Sequence, residues 1–259
     1  MKKLLIIFST VLFFSKGYAQ ENHSVMIIPF DPDMYFSDSD EMLAKYNKKN
    51  VKEVRTLFRY GLNINLNARI MSQYKTTNLL SDSSSNALSD LALIYKSISY
   101  FGDEPMPNLE DLSKKEETTK KPGFFQKSQD SKAQNNVKQQ DLKMPKKYIN
   151  VKVQNKELFN YLSEKYSVDL FLFCNQFNLE TNYQHCLDRS TNTFQRELMV
   201  HYSLFDKNGK QLAGGITQAD FPSNSNDIMN IMKTNFPQLS NQMASRLPGA
   251  PPIRTIKEN

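Results

Sequence analysis

The sequence predicts an α/β fold of the α+β kind, with a mixed sheet of about five strands, amphipathic helices packed on it and a long polar insertion. Short apolar runs at residues 24–30 and 168–177 have the length of buried strands. Apolar residues recur at three- and four-residue steps over residues 50–74, as in an amphipathic helix. The sequence Asp-Lys-Asn-Gly at residues 206–209 lies between two apolar segments and predicts a hairpin.

The first half of the predicted domain contains a strand followed by two helices. Residues 24–30 end at Asp31-Pro32-Asp33, which favours a strand followed by a turn. Asn50 is expected to be the N-cap of the long helix, and Glu53 completes a capping box. A second helix is predicted over residues 87–100, because it follows a cluster of Ser and Asn residues.

The second half of the domain is predicted to contain further strands and a closing helix. Residues 148–153 alternate apolar and polar side chains, as in a half-buried strand, and residues 157–166 predict a short helix. The strand at 168–177 is expected to lie centrally in the sheet. The remaining predicted elements are strands at 194–205 and 210–221 and a helix at 225–247, which Pro237 is expected to kink or break.

Residues 103–147 separate the two halves and differ from them in composition. They are rich in Lys, Gln, Ser, Asp and Glu, contain four prolines and have little apolar periodicity. A disordered tether is therefore predicted within a domain made of residues 20–102 and 148–247. Phe124 and Phe125 in this tether form a possible docking point for a partner, or fold back on the domain. Residues 248–259 are predicted to be a flexible tail.

The first 19 residues have the pattern of a bacterial signal peptide that is cleaved after Ala19. Lys2 and Lys3 precede an apolar run at residues 4–14, and Gly17 and Ala19 supply the small residues of a cleavage site. The run is shorter than the roughly 20 residues of a membrane-spanning helix, and no second run follows. The mature chain is thus predicted to be exported, periplasmic or secreted, with no transmembrane segment.

Charge gives little support for a nucleic-acid partner. The formal net charge is +6 at pH 7, and removal of residues 1–19 with their three lysines lowers it to +3. A small positive charge on an exported chain favours solubility without indicating nucleic acid or anionic lipid. No nucleic acid is therefore expected among the partners.

Cys174 and Cys186 predict a disulfide bond. An even number of cysteines in an exported chain favours pairing, and a hairpin turn around residues 179–183 would bring the two together. A zinc site that uses the neighbouring His185 lacks the second spaced pair of ligands that such sites need.

The sequence contains no recognisable catalytic motif. One acidic cluster leaves metal binding open. The acidic cluster following the first strand could supply oxygen ligands for calcium, although its spacing does not match an EF-hand, and a solvated turn with helix N-terminal acids explains it equally. The cluster consists of Asp31, Asp33, Asp38, Asp40 and Glu41. No catalytic, cofactor-binding or metal-binding residue is predicted, no cofactor is expected, and the protein is not expected to be an enzyme.

The order of the elements resembles the TolB amino-terminal-like fold of bacterial envelope proteins. The resemblance rests on the opening strand VMIIPF, a long helix, the strand VDLFLF, the hairpin LMVHYSLFDKNGKQLAGG and a closing helix. It covers residues 24–100 and 148–247. Similar proteins include lipoprotein activators of penicillin-binding proteins and the curli-secretion lipoprotein, but this chain lacks their lipid-anchoring cysteine and carries the long polar segment.

The resemblance implies a non-catalytic envelope protein that works by binding a partner. We therefore expect an exported adaptor or accessory protein that acts through protein–protein contacts with an envelope protein. Two alternatives remain open, a secreted hydrolase with an unrecognised site and a structural subunit of a secretion or surface assembly.

Overall fold

A mixed sheet of six strands lies at the centre of the computed structural model, which describes residues 23–82, 84–106, 147–155 and 157–250. Its path is β3-β1-β6-β7-β8, and β2 pairs with β6 beyond the end of β1. β1 runs parallel to β3 and β6, whereas β6, β7 and β8 are antiparallel. The strands are β1 Ser24–Ile28, β2 Tyr35–Ser37, β3 Lys75–Asn78, β6 Leu170–Asp188, β7 Thr193–Asp206 and β8 Gln211–Pro222.

Within the described ranges, five helices and a two-stranded ribbon cover this sheet, which confirms the predicted mixed α/β class. The ribbon consists of β4 Ile98–Asp103 and β5 Tyr148–Val153, which pair antiparallel. The helices are α1 Asp40–Asn47, α2 Val51–Ile70, α3 Ser85–Lys96, α4 Glu157–Tyr166 and α5 Ile228–Ala244.

Two apolar cores form because the central strands bury side chains on both faces. Val25 and Ile27 of β1 join the core beneath α1, α2 and α5. Met26 and Ile28 of the same strand join the core beneath α3, α4 and the ribbon. The continuous apolar run in β1 follows from this two-sided burial.

Two predicted local signals are confirmed. Asn50 Oδ1 accepts a hydrogen bond from the Glu53 N–H at 2.9 Å, and Glu53 Oε2 accepts one from the Asn50 N–H at 2.7 Å, which completes the capping box of α2. The turn between β7 and β8 places Gly209 at a φ of 75°. Asp206 accepts hydrogen bonds from the backbone N–H groups of Asn208 and Lys210 and fixes this turn.

Several predicted boundaries are wrong. The helix predicted to reach residue 100 ends at Lys96, and Ile98–Asp103 forms β4 because it can pair with β5. The predicted tether therefore begins too early, since the segment after β4 stays on the sheet through a hydrogen bond from Met106 N–H to the Gly214 carbonyl at 3.1 Å. Of the two outcomes predicted for Pro237, a kink or a break, the break is wrong, because helix α5 continues through Pro237 as one element.

The predicted disulfide is also wrong, because Cys174 and Cys186 lie in the same strand and no bridge joins them. At about 3.3 Å per residue, twelve positions of strand place them far beyond the Cα separation of about 4.4–6.8 Å that a bridge requires. The chain does not turn at residues 179–183; β6 continues to Asp188, and β7 begins at Thr193. Polar residues 180–185 form exposed strand rather than a turn.

Several predictions concern residues outside the described ranges. These are the signal peptide at 1–19, residues 107–146 of the tether with Phe124 and Phe125, and the tail beyond residue 250. Among the described residues, no helix has both the length and the apolar character needed to cross a membrane.

Candidate functional site

A cleft of about 580 Å³ lies between the chain that follows β1 and the amino-terminal half of α2. Asp31 begins this loop and accepts a hydrogen bond from the Asp33 N–H at 3.0 Å, capping the short 3₁₀ turn Pro32–Met34. The turn brings Tyr35 back to the sheet, where β2 pairs with β6. We call this cavity the α2 cleft; Asp33, Tyr35, Lys52, Arg55, Arg59 and Tyr60 contribute to its lining.

Aromatic rings make the inner side of the α2 cleft rigid. Phe177 of β6 stacks against Tyr35 with ring centroids 5.2 Å apart and against Phe30 at 5.3 Å. It also stacks against Phe58 of α2 at 5.6 Å. These rings are almost fully buried, so they fix the loop against both the sheet and the helix.

Arg59 is a structural part of the cleft. Its Nε donates to the Phe30 carbonyl at 2.8 Å, and its Nη2 donates to the Tyr95 hydroxyl at 2.7 Å. Tyr95 in turn donates to the Pro29 carbonyl at 2.8 Å, and burial raises the pKa of Tyr95 above its ordinary value. The phenol therefore stays neutral, and the Arg59 guanidinium is held by the loop that it supports.

Arg55 is held on one side and exposed on the other. The buried Asp40 carboxylate accepts a hydrogen bond from Arg55 Nε at 2.8 Å and another from the Tyr35 hydroxyl at 2.7 Å. The guanidinium carbon lies 5.2 Å from the centre of the Tyr35 ring. Burial and the Asp40 charge raise the pKa of Tyr35, so this phenol remains a donor.

The exposed half of Arg55 can bind a ligand. Its side chain is 49% exposed, and the hydrogen bonds described for it use Nε alone. The remaining N–H groups form the planar fork that matches a carboxylate or phosphate. Lys52, one helical turn earlier, is exposed and adds a second cation to the same rim. Anion binding is the chemistry that this arrangement supports.

The acidic cluster considered for calcium is dispersed. Asp31 caps the 3₁₀ turn, and Asp40 holds Arg55 and Tyr35. Asp38 accepts hydrogen bonds from the Thr181 N–H at 2.8 Å and the Ser39 hydroxyl at 2.6 Å. Asp33 lines the α2 cleft and Glu41 lies in the first turn of α1. Within the described part of the chain, no three potential metal-ligating side chains are grouped for metal binding.

One cluster contains the residue types of a hydrolase. Asp169 interacts with His23 Nδ1 and accepts hydrogen bonds from the N–H of Ser24 at 2.6 Å and from its hydroxyl at 3.1 Å. Burial raises the pKa of Asp169, but the hydrogen bonds from His23 and Ser24 outweigh it and the net shift is downward. The Ser24 hydroxyl also donates to the Ser167 carbonyl at 2.6 Å. Its proton is therefore directed at a carbonyl and a carboxylate, and the cluster joins the start of β1 to the start of β6.

The two remaining histidines, His185 and His201, lie outside the lining of the α2 cleft. His201 Nδ1 accepts a hydrogen bond from the Ile149 N–H at 2.8 Å beneath the ribbon, and His185 is exposed near the end of β6.

No protein-family model, curated protein or solved structure matches the chain. Lys52, Arg55 and Arg59 were missed because their spacing on α2 also fits an ordinary solvated helix face. Only the loop after β1 makes that face a cleft.

Proposed function

We propose that the protein is an exported, non-catalytic envelope adaptor that holds an acidic segment of its protein partner in the α2 cleft. The observation that carries this proposal is the exposed Arg55 and Lys52 rim beside fixed aromatic rings. Among the described residues, the lining of this cleft includes no histidine, cysteine or serine. Export is supported by the signal-peptide pattern of residues 1–19, and an adaptor role by the element order that resembles the TolB amino-terminal-like fold.

The charges of the cleft favour an acidic occupant. Three cations, Lys52, Arg55 and Arg59, face two carboxylates, Asp33 and the Arg55 partner Asp40, which leaves a formal surplus of +1. Arginine clusters recognise acidic motifs through charge-assisted hydrogen bonds, and complementary charge raises the rate of association. The packed aromatic rings also hold the loop and α2 in place before a ligand binds, which lowers the entropy cost of binding.

Photo-crosslinking in native envelopes tests this function. A photoreactive amino acid in place of Tyr60, which is 42% exposed on the cleft rim, should capture one defined envelope protein. Lys52→Glu, a charge reversal at an exposed position, should lower the yield of that product about tenfold, since the change costs on the order of 1.4 kcal/mol of binding.

The matched control is Lys152→Glu, an exposed charge reversal on β5 at the opposite face of the sheet. It should leave the crosslinked product unchanged. Equal yields from wild type and the Lys52→Glu variant, or no defined product at all, would count against the proposed function.

A further inference from the structure

The outer edge of β8 has a short open stretch of backbone. In an antiparallel pair, alternate residues turn both backbone groups away from the neighbouring strand. Gln218 does so, because its N–H donates to Gln242 Oε1 and its carbonyl accepts from Gln242 Nε2, each at 3.2 Å. By the two-residue period of the β7–β8 ladder, Ile216 and Gly214 also direct their backbone groups outward.

Two closures border this stretch. At one end the Met106 N–H donates to the Gly214 carbonyl. At the other, the side-chain amide of Gln242 on α5 takes the place of a neighbouring strand at Gln218. Ile216 lies between these two closures, and no described residue forms a hydrogen bond with its outward N–H or carbonyl. The open edge covers about 13 Å at 3.3 Å per residue.

A cavity of about 310 Å³ lies along this edge and contains one cation. Gly214, Gly215 and Ile216 form the strand side of the cavity, and Arg246 follows the carboxyl end of α5. Among the described residues, the cavity lining includes no acidic side chain, and no ion pair involves Arg246. The guanidinium interacts with the side chain of Tyr202, which is neutral and leaves the positive charge unbalanced. A positive side chain therefore stands beside unpaired strand backbone.

The geometry selects the kind of ligand. Unpaired backbone on a sheet edge binds extended peptide by strand addition. A peptide running the full length of β8 would have to displace Met106 or Gln242, but a chain end can enter between them. Since Arg246 supplies a cation, the end that fits carries a carboxylate.

We propose that the open edge of β8 binds the C-terminal residues of a partner protein, which add a short strand beside Ile216 and pair their terminal carboxylate with Arg246. This surface shares no lining residue with the α2 cleft, so it goes beyond the proposed function.

An array of random hexapeptides, attached through their amino termini, tests this proposal with the full-length chain. One half of the array carries free C-terminal carboxylates, and the other carries the same sequences as C-terminal amides. A subset of sequences should bind in the free form and lose about tenfold or more in affinity as amides, because a charge-assisted hydrogen bond is removed.

Variants of the protein locate the binding on the edge. Arg246→Gln should lower binding of the free-carboxylate peptides to the level of the amides. Ile216→Pro removes the outward N–H but no bond of the β7–β8 ladder, and it should abolish binding. Arg189→Gln, an exposed arginine outside the cavity, should change nothing.

If Ile216→Pro does not fold, Gly215→Leu provides a second test. A Cβ at Gly215 would lie 3.8 Å from the Tyr202 hydroxyl and 3.9 Å from Pro105 Cβ, so the larger side chain enters the cavity without an immediate clash. It should also block binding, and circular dichroism confirms the fold of each variant.

Four results would overturn the proposal. Two are an array without carboxylate-dependent binders and an unchanged affinity in Arg246→Gln. A third is equal binding by amidated peptides with internal Asp or Glu, which would assign Arg246 to an acidic side chain. The fourth is a concentration-dependent dimer that Ile216→Pro abolishes, which would assign the edge to a second copy of the chain.

Discussion

Cys174 and Cys186 lie on the same strand in different environments. Cys174 is 5% exposed beneath the helices, and burial raises the pKa of its thiol to about 12. Cys186 is half-buried on the outer part of β6. Cys186 is therefore the more accessible of the two thiols. The raised pKa protects Cys174 further, because the thiolate is the form that reacts.

Iodoacetamide treatment without reductant should therefore add one adduct to the native protein, at Cys186. After unfolding in urea a second adduct should appear, at Cys174, and both are counted by intact mass. The Cys186→Ser variant should remain unlabelled until it is unfolded. A mass that stays unchanged even in urea would restore the disulfide inferred from the sequence and contradict the single-strand placement of the two residues.

The candidate site shows why single residues are hard to assign from sequence. Lys52 and Arg55 are recognisable as the polar face of a predicted helix, and that part of the prediction is confirmed. The buried partner Asp40 lies fifteen positions earlier, where an acidic turn was equally compatible with calcium. No local pattern indicates that Asp40 is needed to orient Arg55, because the contact depends on how α1 and β2 pack against α2.

The contact between α2 and α5 depends on the absence of a side chain at Gly61. A Cβ there would lie 2.5 Å from Met232 Sδ and 3.1 Å from Phe236 Cε2. Gly61→Leu should therefore destabilise the protein by about 1–3 kcal/mol, because overpacking forces the helices apart. The gain in helix propensity, up to about 1 kcal/mol, offsets only part of this cost. Urea unfolding followed by circular dichroism measures the change.

Gly102→Leu is the matched control for this substitution. Gly102 lies in β4, and a Cβ at that position has no atom within 4 Å. Its free energy of unfolding should stay within about 0.5 kcal/mol of wild type, as for other surface changes. Wild-type stability in Gly61→Leu would show that the two helices are not in close contact at this point.

The elements predicted correctly have a local cause, and those predicted wrongly depend on distant pairing. Helix α4 and strand β5 match their predicted ranges because apolar periodicity determines them within a few residues. Residues 98–103 are compatible with either helix or strand, and pairing with β5, which follows residues 104–147, selects the strand. The outer part of β6 is polar because it extends past β2, whose pairing ends at Leu179, and beyond that point it pairs with β7 alone among the described strands. Its composition therefore resembles that of a turn.

At the scale of the whole molecule, the two halves of the chain are interleaved in one sheet. β1 from the first half lies between β3 and β6, and β6 comes from the second half. Buried Asp90 of α3 accepts hydrogen bonds from Tyr161 of α4 at 2.9 Å and from Lys165 Nζ at 2.7 Å. Backbone ladders and a buried carboxylate therefore join the residues that precede and follow 107–146.

This interleaving predicts the outcome of limited proteolysis. The composition of residues 103–147 predicts disorder, so trypsin should cut first at lysines within this range, and more precisely beyond Met106. The two fragments should stay associated and co-elute at the volume of the intact chain on size exclusion, because the cut crosses no described strand ladder and leaves both cores complete. They should separate only in denaturant, where mass spectrometry identifies each end. Resistance of this range to trypsin would contradict the predicted tether, whereas separation of the nicked halves in native buffer would contradict the interleaved sheet.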